Sequence, residues 1–240
     1  MSSVAKRAET RGESKVANGI TGIITTWLGE GLRWALLFPA LRLLVRAKVY
    51  GSENLQGEGP YILAANHASH LDAPLLLAAL PLRLRLRVRV VAAADYFFSQ
   101  RWKGALVRVV FNAFSFERKG AGSMSSLAQA QRLLCAGHSL LLFPEGTRSQ
   151  DGQLQPFKWG VGKLALDGSV SVIPTWIDGT YAALPKGARW PHPQKIAIWF
   201  GAPMQFAPTS SPLSITAEIE RQVRALASAD QARRNERTKV

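Results

Sequence analysis

Short apolar runs separated by longer amphipathic ones restrict this chain more than any other feature. From about Tyr50 onward, Tyr61–Ala64, Val88–Ala92, Ala113–Phe116, Ser139–Phe143, Val170–Trp176 and Lys195–Phe200 read as strands. Asp72–Leu80, Phe97–Val109, Ser125–Cys135 and Gly160–Leu166 read as the helices between them. Strands alternating with helices predict an α/β fold with a largely parallel central sheet flanked by helices. A chain of 240 residues, 47% hydrophobic and 19% charged, can bury such a core without crosslinks. Its one cysteine excludes an intrachain disulfide and a Cys-based zinc site. Cys135, set in Leu133-Leu134-Cys135-Ala136, reads as a buried thiol inside a helix.

The ends have a different character. Residues 1–18 are a polar leader of mixed charge, unlike a signal peptide. Ile20, Ile23, Ile24, Trp27 and Leu28 then follow helical spacing. Gly29-Glu30-Gly31 interrupts the pattern, and a second apolar stretch runs from Trp34 to Val45 with Pro39 inside it. Neither stretch reaches the ~18 apolar residues of a spanning helix. Residues 19–48 therefore read as two amphipathic helices lying in a membrane interface, with tryptophans at headgroup level and Arg33, Arg42, Arg46 and Lys48 toward lipid phosphates. The alternative is that both helices pack on the domain. Residues 49–207 form the α/β body. Residues 208–240 hold a last amphipathic helix (Ile215, Ile219, Val223, Leu226) and a solvated basic tail from Arg233 to Lys239.

Thirty Lys and Arg against 16 Asp and Glu leave a formal charge of +14. Nucleic acid, an anionic membrane and anionic substrates all attract such a chain. Residues 82–90 alternate Leu or Val with Arg83, Arg85, Arg87 and Arg89, the pattern of a half-buried strand whose polar face is solvated or meets lipid phosphates. No nucleic-acid motif or interleaved aromatic platform accompanies the charge, so no nucleic-acid partner is expected.

Two segments carry chemistry. In Asn66-His67-Ala68-Ser69-His70-Leu71-Asp72 a strand runs into a loop, and Asp72 precedes Ala73-Pro74, as the N-cap of a helix would. If the loop folds back, the carboxylate can fix one imidazole nitrogen of His67 and leave the other as a base. Otherwise Asp72 is only a cap and His67 only a loop residue. His70 competes for the role of base. The second segment, Phe143-Pro144-Glu145-Gly146-Thr147-Arg148-Ser149, follows a strand. Gly146 allows close backbone approach, Arg148 offers a guanidinium fork for phosphate, and Glu145 either holds that arginine or positions a substrate hydroxyl. The bland reading is a turn with a surface ion pair. Glu117-Arg118 ends another strand with a second arginine.

These segments resemble the glycerolipid acyltransferase family, which includes the 1-acyl-glycerol-3-phosphate acyltransferases. Residues 66–72 match its Asn-His-x-Ser-x-x-Asp motif and residues 143–149 its Phe-Pro-Glu-Gly-Thr-Arg-Ser motif. Glu117-Arg118 fit the end of a third motif, in which Asn112 and Ser115 depart from the usual glycine and aromatic. Val172-Ile173-Pro174 and Phe157-Lys158-x-Gly160 also look family-like, the whole covering about residues 45–205. The resemblance implies His67 as general base and Asp72 as its orienting partner. It implies Arg118, Glu145, Gly146, Thr147 and Arg148 as the acceptor site, with Lys158 a further candidate for charge stabilisation.

It also implies transfer of a fatty acyl group from acyl-CoA or acyl carrier protein to a lysophospholipid, chiefly 1-acyl-glycerol-3-phosphate, giving phosphatidic acid. No metal or other cofactor is implied. The partners would be a phospholipid surface, the lysophospholipid and the acyl donor, and the location the cytoplasmic face of an inner membrane. Acylation of another lysolipid, with a headgroup or of the lyso-ornithine type, and a non-catalytic membrane protein on the same fold remain open.

Overall fold

The computed structural model describes residues 27–39, 41, 45–57, 59–93, 113–116, 121–168, 170–188 and 190–238. The leader, the apolar positions Ile20–Ile24, the expected helix Phe97–Val109, Asn112 and Arg118 lie outside them.

Seven strands form one sheet: β1 (Val45–Tyr50), β2 (Tyr61–Ala65), β3 (Val88–Ala93), β4 (Ala113–Phe116), β5 (Ser139–Leu142), β6 (Ser171–Asp178) and β7 (Gln194–Phe200). Their order is β1-β7-β6-β2-β5-β3-β4. Among the described strands only β6 and β7 are antiparallel neighbours, so β1 and β7 run against the other five. Central strands are apolar on both faces because helices cover both. Leu63, Ala65 and Leu141 pack on one side with Leu75, Leu76, Leu80 and Leu84. Ile62, Ala64, Leu140 and Leu142 pack on the other with helices Ala121–Cys135, Gly160–Gly168 and Pro212–Thr238. Gly162 lets the last two helices touch: a Cβ there would lie 2.0 Å from the Pro212 carbonyl oxygen.

Several expectations change. Residues 82–87 are a helix, Leu82–Arg87, and β3 starts only at Val88. Pro81 starts that helix in extended geometry, and period-two patterning over six residues does not hold a strand where no neighbour pairs with it. The arginines separate accordingly. Arg83 donates to the carbonyls of Leu55 (2.6 Å) and Gly57 (3.1 Å). Arg85 is buried and bonds Glu30. The set is thus not one phosphate-facing stripe.

Gly29-Glu30-Gly31 does not break the N-terminal helix, which is continuous over residues 27–39 with a π turn at Arg33–Leu37 ahead of Pro39. Residue 45 already pairs with β7, so the expected division at residue 48 falls inside β1. The basic tail is exposed over residues 231–237, as expected, and is helical. Helix Pro212–Thr238 carries it back to the sheet, where Arg233 lies over the Tyr50 ring (4.5 Å) and Arg234 pairs with Asp178. Cys135 is exposed, because Ala130 and Leu134 supply the buried face of its helix.

The N-terminal helix is joined to the domain by charge. Glu30 receives Arg33 Nη2 at 2.6 Å and Arg85 Nε at 2.6 Å, all three side chains being at most 5% exposed. Arg85 also lies 5.1 Å over Phe38. A buried carboxylate shared by two guanidinium groups holds position while its partners remain; losing it leaves buried cations. Glu30→Ala is therefore expected to lower unfolding free energy by about 3–5 kcal/mol in urea titration. A loss under about 1 kcal/mol would show that the junction does not hold the helix.

Candidate active site

β2, β5 and β6 are parallel neighbours, so their C-terminal ends lie along one sheet edge. Loops leaving that edge carry both sequence motifs. Asn66 extends the β2–β6 pairing by one step with its side chain: Nδ2 donates to the Ile177 carbonyl (2.8 Å) and Oδ1 accepts from the Ile177 N–H (2.7 Å). That bidentate amide sets the direction in which the chain leaves β2.

His67 follows at once. Its Nδ1 lies 2.8 Å from Asp72 Oδ2. The same oxygen accepts the backbone N–H groups of Ala68 (2.7 Å) and Ser69 (2.8 Å). Asp72 is thus not an N-cap. It is the first residue of helix Asp72–Ala79, and its carboxylate turns back to the loop before it. Two N–H bonds and an imidazole gathered on one oxygen fold the five-residue interval into a closed turn. Asp72 is fully buried, whereas His67 keeps its side chain 21% exposed. A carboxylate acceptor places the proton on Nδ1 and the lone pair on Nε2. Nε2 makes no hydrogen bond among the described residues. Phe143 stacks on the imidazole, centroids 4.0 Å apart at 17°.

The second motif closes over the first. Glu145 Oε1 accepts the His67 N–H (2.7 Å) and Oε2 the Gln155 N–H (3.1 Å). The Ser149 N–H donates to the His67 carbonyl (2.8 Å). Glu145, expected among substrate-binding residues, is therefore buried as a tie between loops. Gly146 takes φ +74°, and a Cβ there would lie 2.5 Å from Lys158 Nζ, so the lysine side chain crosses directly over it. The Lys158 N–H meets the Pro144 carbonyl (2.9 Å), which brings both segments together. Thr147 is exposed and Arg148 half-buried.

Burial, then the nearby charges of Arg148 and His67, push His70 down to about 4, so it is neutral at pH 7. His70 is the weaker competitor, since the Asp72 bond goes to His67. Arg118 lies outside the described residues, beyond the Phe116 end of β4. Phe143, Gln155 and the Ser69 hydroxyl, which bonds the Leu184 carbonyl at 2.8 Å, were not singled out from sequence. Two of them lie inside the motifs, and only the fold gives them partners.

The family model described as Acyltransferase matches residues 46–178. A 1-acyl-sn-glycerol-3-phosphate acyltransferase of Limnanthes douglasii is 31% identical over 158 residues, 65% of this chain and 54% of that protein. The alpha form from Homo sapiens is 32% identical over 146 residues, 60% of this chain and 49% of its own length. The chain thus spans about half of the relatives it matches. The crystal structure of the 1-acyl-sn-glycerophosphate acyltransferase PlsC from Thermotoga maritima superposes with a TM-score of 0.64 at 26% identity, covering 88% of this chain and 81% of that one.

Burial pushes the Glu145 carboxyl up from 4.5 to about 7; the N–H groups of His67 and Gln155 oppose the rise and the Asp72 charge adds to it. The folded protein then holds this proton more tightly than the unfolded chain does. The associated stability is complete below about 4.5 and is lost as pH rises through about 7. Unfolding free energy of the unaltered protein is expected to fall with pH across that window more steeply than that of Glu145→Gln. Parallel curves would remove Glu145 as the titrating group.

Proposed function

The chain belongs to the glycerolipid acyltransferase family, and on that premise we propose that it moves a fatty acyl group from an acyl thioester to the free hydroxyl of 1-acyl-glycerol-3-phosphate. The observation that carries this reading is the His67 Nδ1–Asp72 Oδ2 bond of 2.8 Å, which leaves Nε2 as the basic nitrogen. An acceptor hydroxyl is a poor nucleophile until its proton is removed during attack. Nε2 takes that proton as the hydroxyl oxygen bonds the thioester carbonyl carbon. Collapse of the tetrahedral intermediate breaks the C–S bond, and the imidazolium returns the proton to the departing thiolate. Buried Asp72 stabilises the imidazolium in between.

Arg148 and Lys158 would hold the acceptor phosphate, with Gly146 leaving room for the Lys158 side chain and Thr147 offering a hydroxyl. Arg118 joins this set by resemblance. The donor is acyl-CoA or acyl carrier protein.

We place the reaction at a membrane surface that meets the soluble donor. The N-terminal helix supports this through the large apolar side chains on its outward face. It turns Glu30 and Arg33 toward the domain, while Trp27, Leu28 and Leu36 are 56%, 62% and 63% exposed. Apolar outward faces with tryptophan suit a headgroup boundary. Among the described residues no helix is long and apolar enough to cross a bilayer.

Acyl transfer measured with a panel of lysolipids and both donor types tests the assignment. His67→Ala is expected to lower kcat at least about 100-fold with the fold retained. Arg148→Ala is expected to raise KM for the phosphorylated acceptor far more than for the donor. Near-normal turnover by His67→Ala would end the mechanism, and a preference for another lysolipid would replace the acceptor. Replacing Trp27, Leu28 and Leu36 with Ser is expected to weaken vesicle binding without changing unfolding free energy by more than about 0.5 kcal/mol.

A further inference from the structure

The connection between β6 and β7 belongs to neither motif, yet it borders the same sheet edge. After Asp178 the chain makes a short helix, Thr180–Ala183, then a loop of residues 184–193, and enters β7 at Gln194. The loop is closed at its base, where the His192 N–H meets the Ala183 carbonyl at 2.7 Å. It is shaped inside by a turn from the Ala188 N–H to the Pro185 carbonyl (3.1 Å) around Gly187 at φ +93°. It is tied to the catalytic loop by the Ser69 hydroxyl on the Leu184 carbonyl, 2.8 Å.

On this well-held loop Trp190 is 78% exposed, the most exposed large apolar side chain among the described residues. An indole with that much surface in water costs free energy unless something covers it. The loop itself carries only positive charge, while Asp151 and Asp178 line the adjoining cleft with Pro193 and Lys195. Residues 179–217 contain Lys186, Arg189 and Lys195 and no acidic residue. The loop ends where the N-terminal segment enters the sheet: Val45 pairs with Gln194 and Arg46 with Lys195. Trp190, Lys186, the end of the N-terminal segment and the His67 loop therefore share one rim.

We propose that this loop docks into an anionic phospholipid surface, with Trp190 seated at headgroup level and Lys186 toward lipid phosphates. Tryptophan with lysine, and no acid between them, is what such an interface recognises. This deepens the reading above, on which it rests: a loop bonded to the catalytic turn and anchored in the bilayer would hold the mouth against the surface that supplies the acceptor.

Partition of the full-length protein onto vesicles tests this, using phosphatidylcholine alone and phosphatidylcholine with phosphatidylglycerol. Trp190→Ala is expected to weaken partition onto both by about tenfold, with Trp190→Phe falling between. Lys186→Gln is expected to weaken it about fivefold, and only on the anionic vesicles. Brominated lipid should quench the fluorescence that the unaltered protein has and Trp190→Phe lacks. Turnover of a dispersed short-chain acceptor should stay within about twofold in these variants. Unchanged partition of Trp190→Ala, or no quenching of the Trp190 signal, overturns the proposal. So does a rise in KM for acyl carrier protein with partition unaltered, which would make the loop a protein-docking site. If the unaltered protein acylates no lysolipid, the functional reading fails while vesicle partition still decides the loop.

Discussion

One carboxylate oxygen organises the catalytic edge. Asp72 Oδ2 gathers the His67 imidazole and the N–H groups of Ala68 and Ser69. The bonds depend on each other. The two N–H groups fix the carboxylate, the carboxylate fixes the imidazole, and the closed turn makes a five-residue separation a contact. Burying Asp72 is made tolerable by three donors on Oδ2, whereas Oδ1 is buried with no hydrogen-bond partner among the described residues. The helix that follows thus begins with a residue whose side chain serves the loop instead of the helix's own N–H groups.

Around that turn the structure relies on ties between distant segments. Asn66 fastens the chain to Ile177 as it leaves β2, and Ser69 fastens the loop to Leu184. Glu145 reaches from the second motif to the first and to Gln155. A glutamate buried between two backbone N–H groups is a sensitive clamp. It holds two loops at fixed spacing, and desolvation brings its protonation into the neutral range. Precision of a catalytic pair rests on such surrounding bonds as much as on the pair itself.

The charges of the N-terminal third serve the fold as well as any surface. Arg85 and Arg33 spend their guanidinium groups on buried Glu30, and Arg83 spends its own on backbone carbonyls. Net charge records neither, because it counts a buried paired arginine the same as a solvated one. The consequence is a helix that buries Glu30 and Arg33 beside Phe38 while leaving Trp27, Leu28 and Leu36 outward, unlike an ordinary surface helix, whose charges face water.

What the sequence determined by itself was the local pattern. The apolar strands were legible to within a residue or two because alternation and helix breaks are short-range properties, and the two motifs named His67, Asp72 and the Gly146–Arg148 segment because their chemistry is unusual at that spacing. It misread residues 82–87, since alternation of Leu and Arg over one and a half helical turns satisfies either period, and only strand neighbours decide between them. It missed β1, whose Lys and Arg positions are tolerable at a sheet edge but not in a central strand. It rightly gave the last turns of the chain to solvent, but could not show that the exposed Arg233 and Arg234 also meet Tyr50 and Asp178, residues far away in sequence. The pairings of Glu30 with Arg85, Glu145 with His67 and Ser69 with Leu184 were likewise decided only by tertiary structure, because a hydrogen bond between segments leaves no periodic trace in either one.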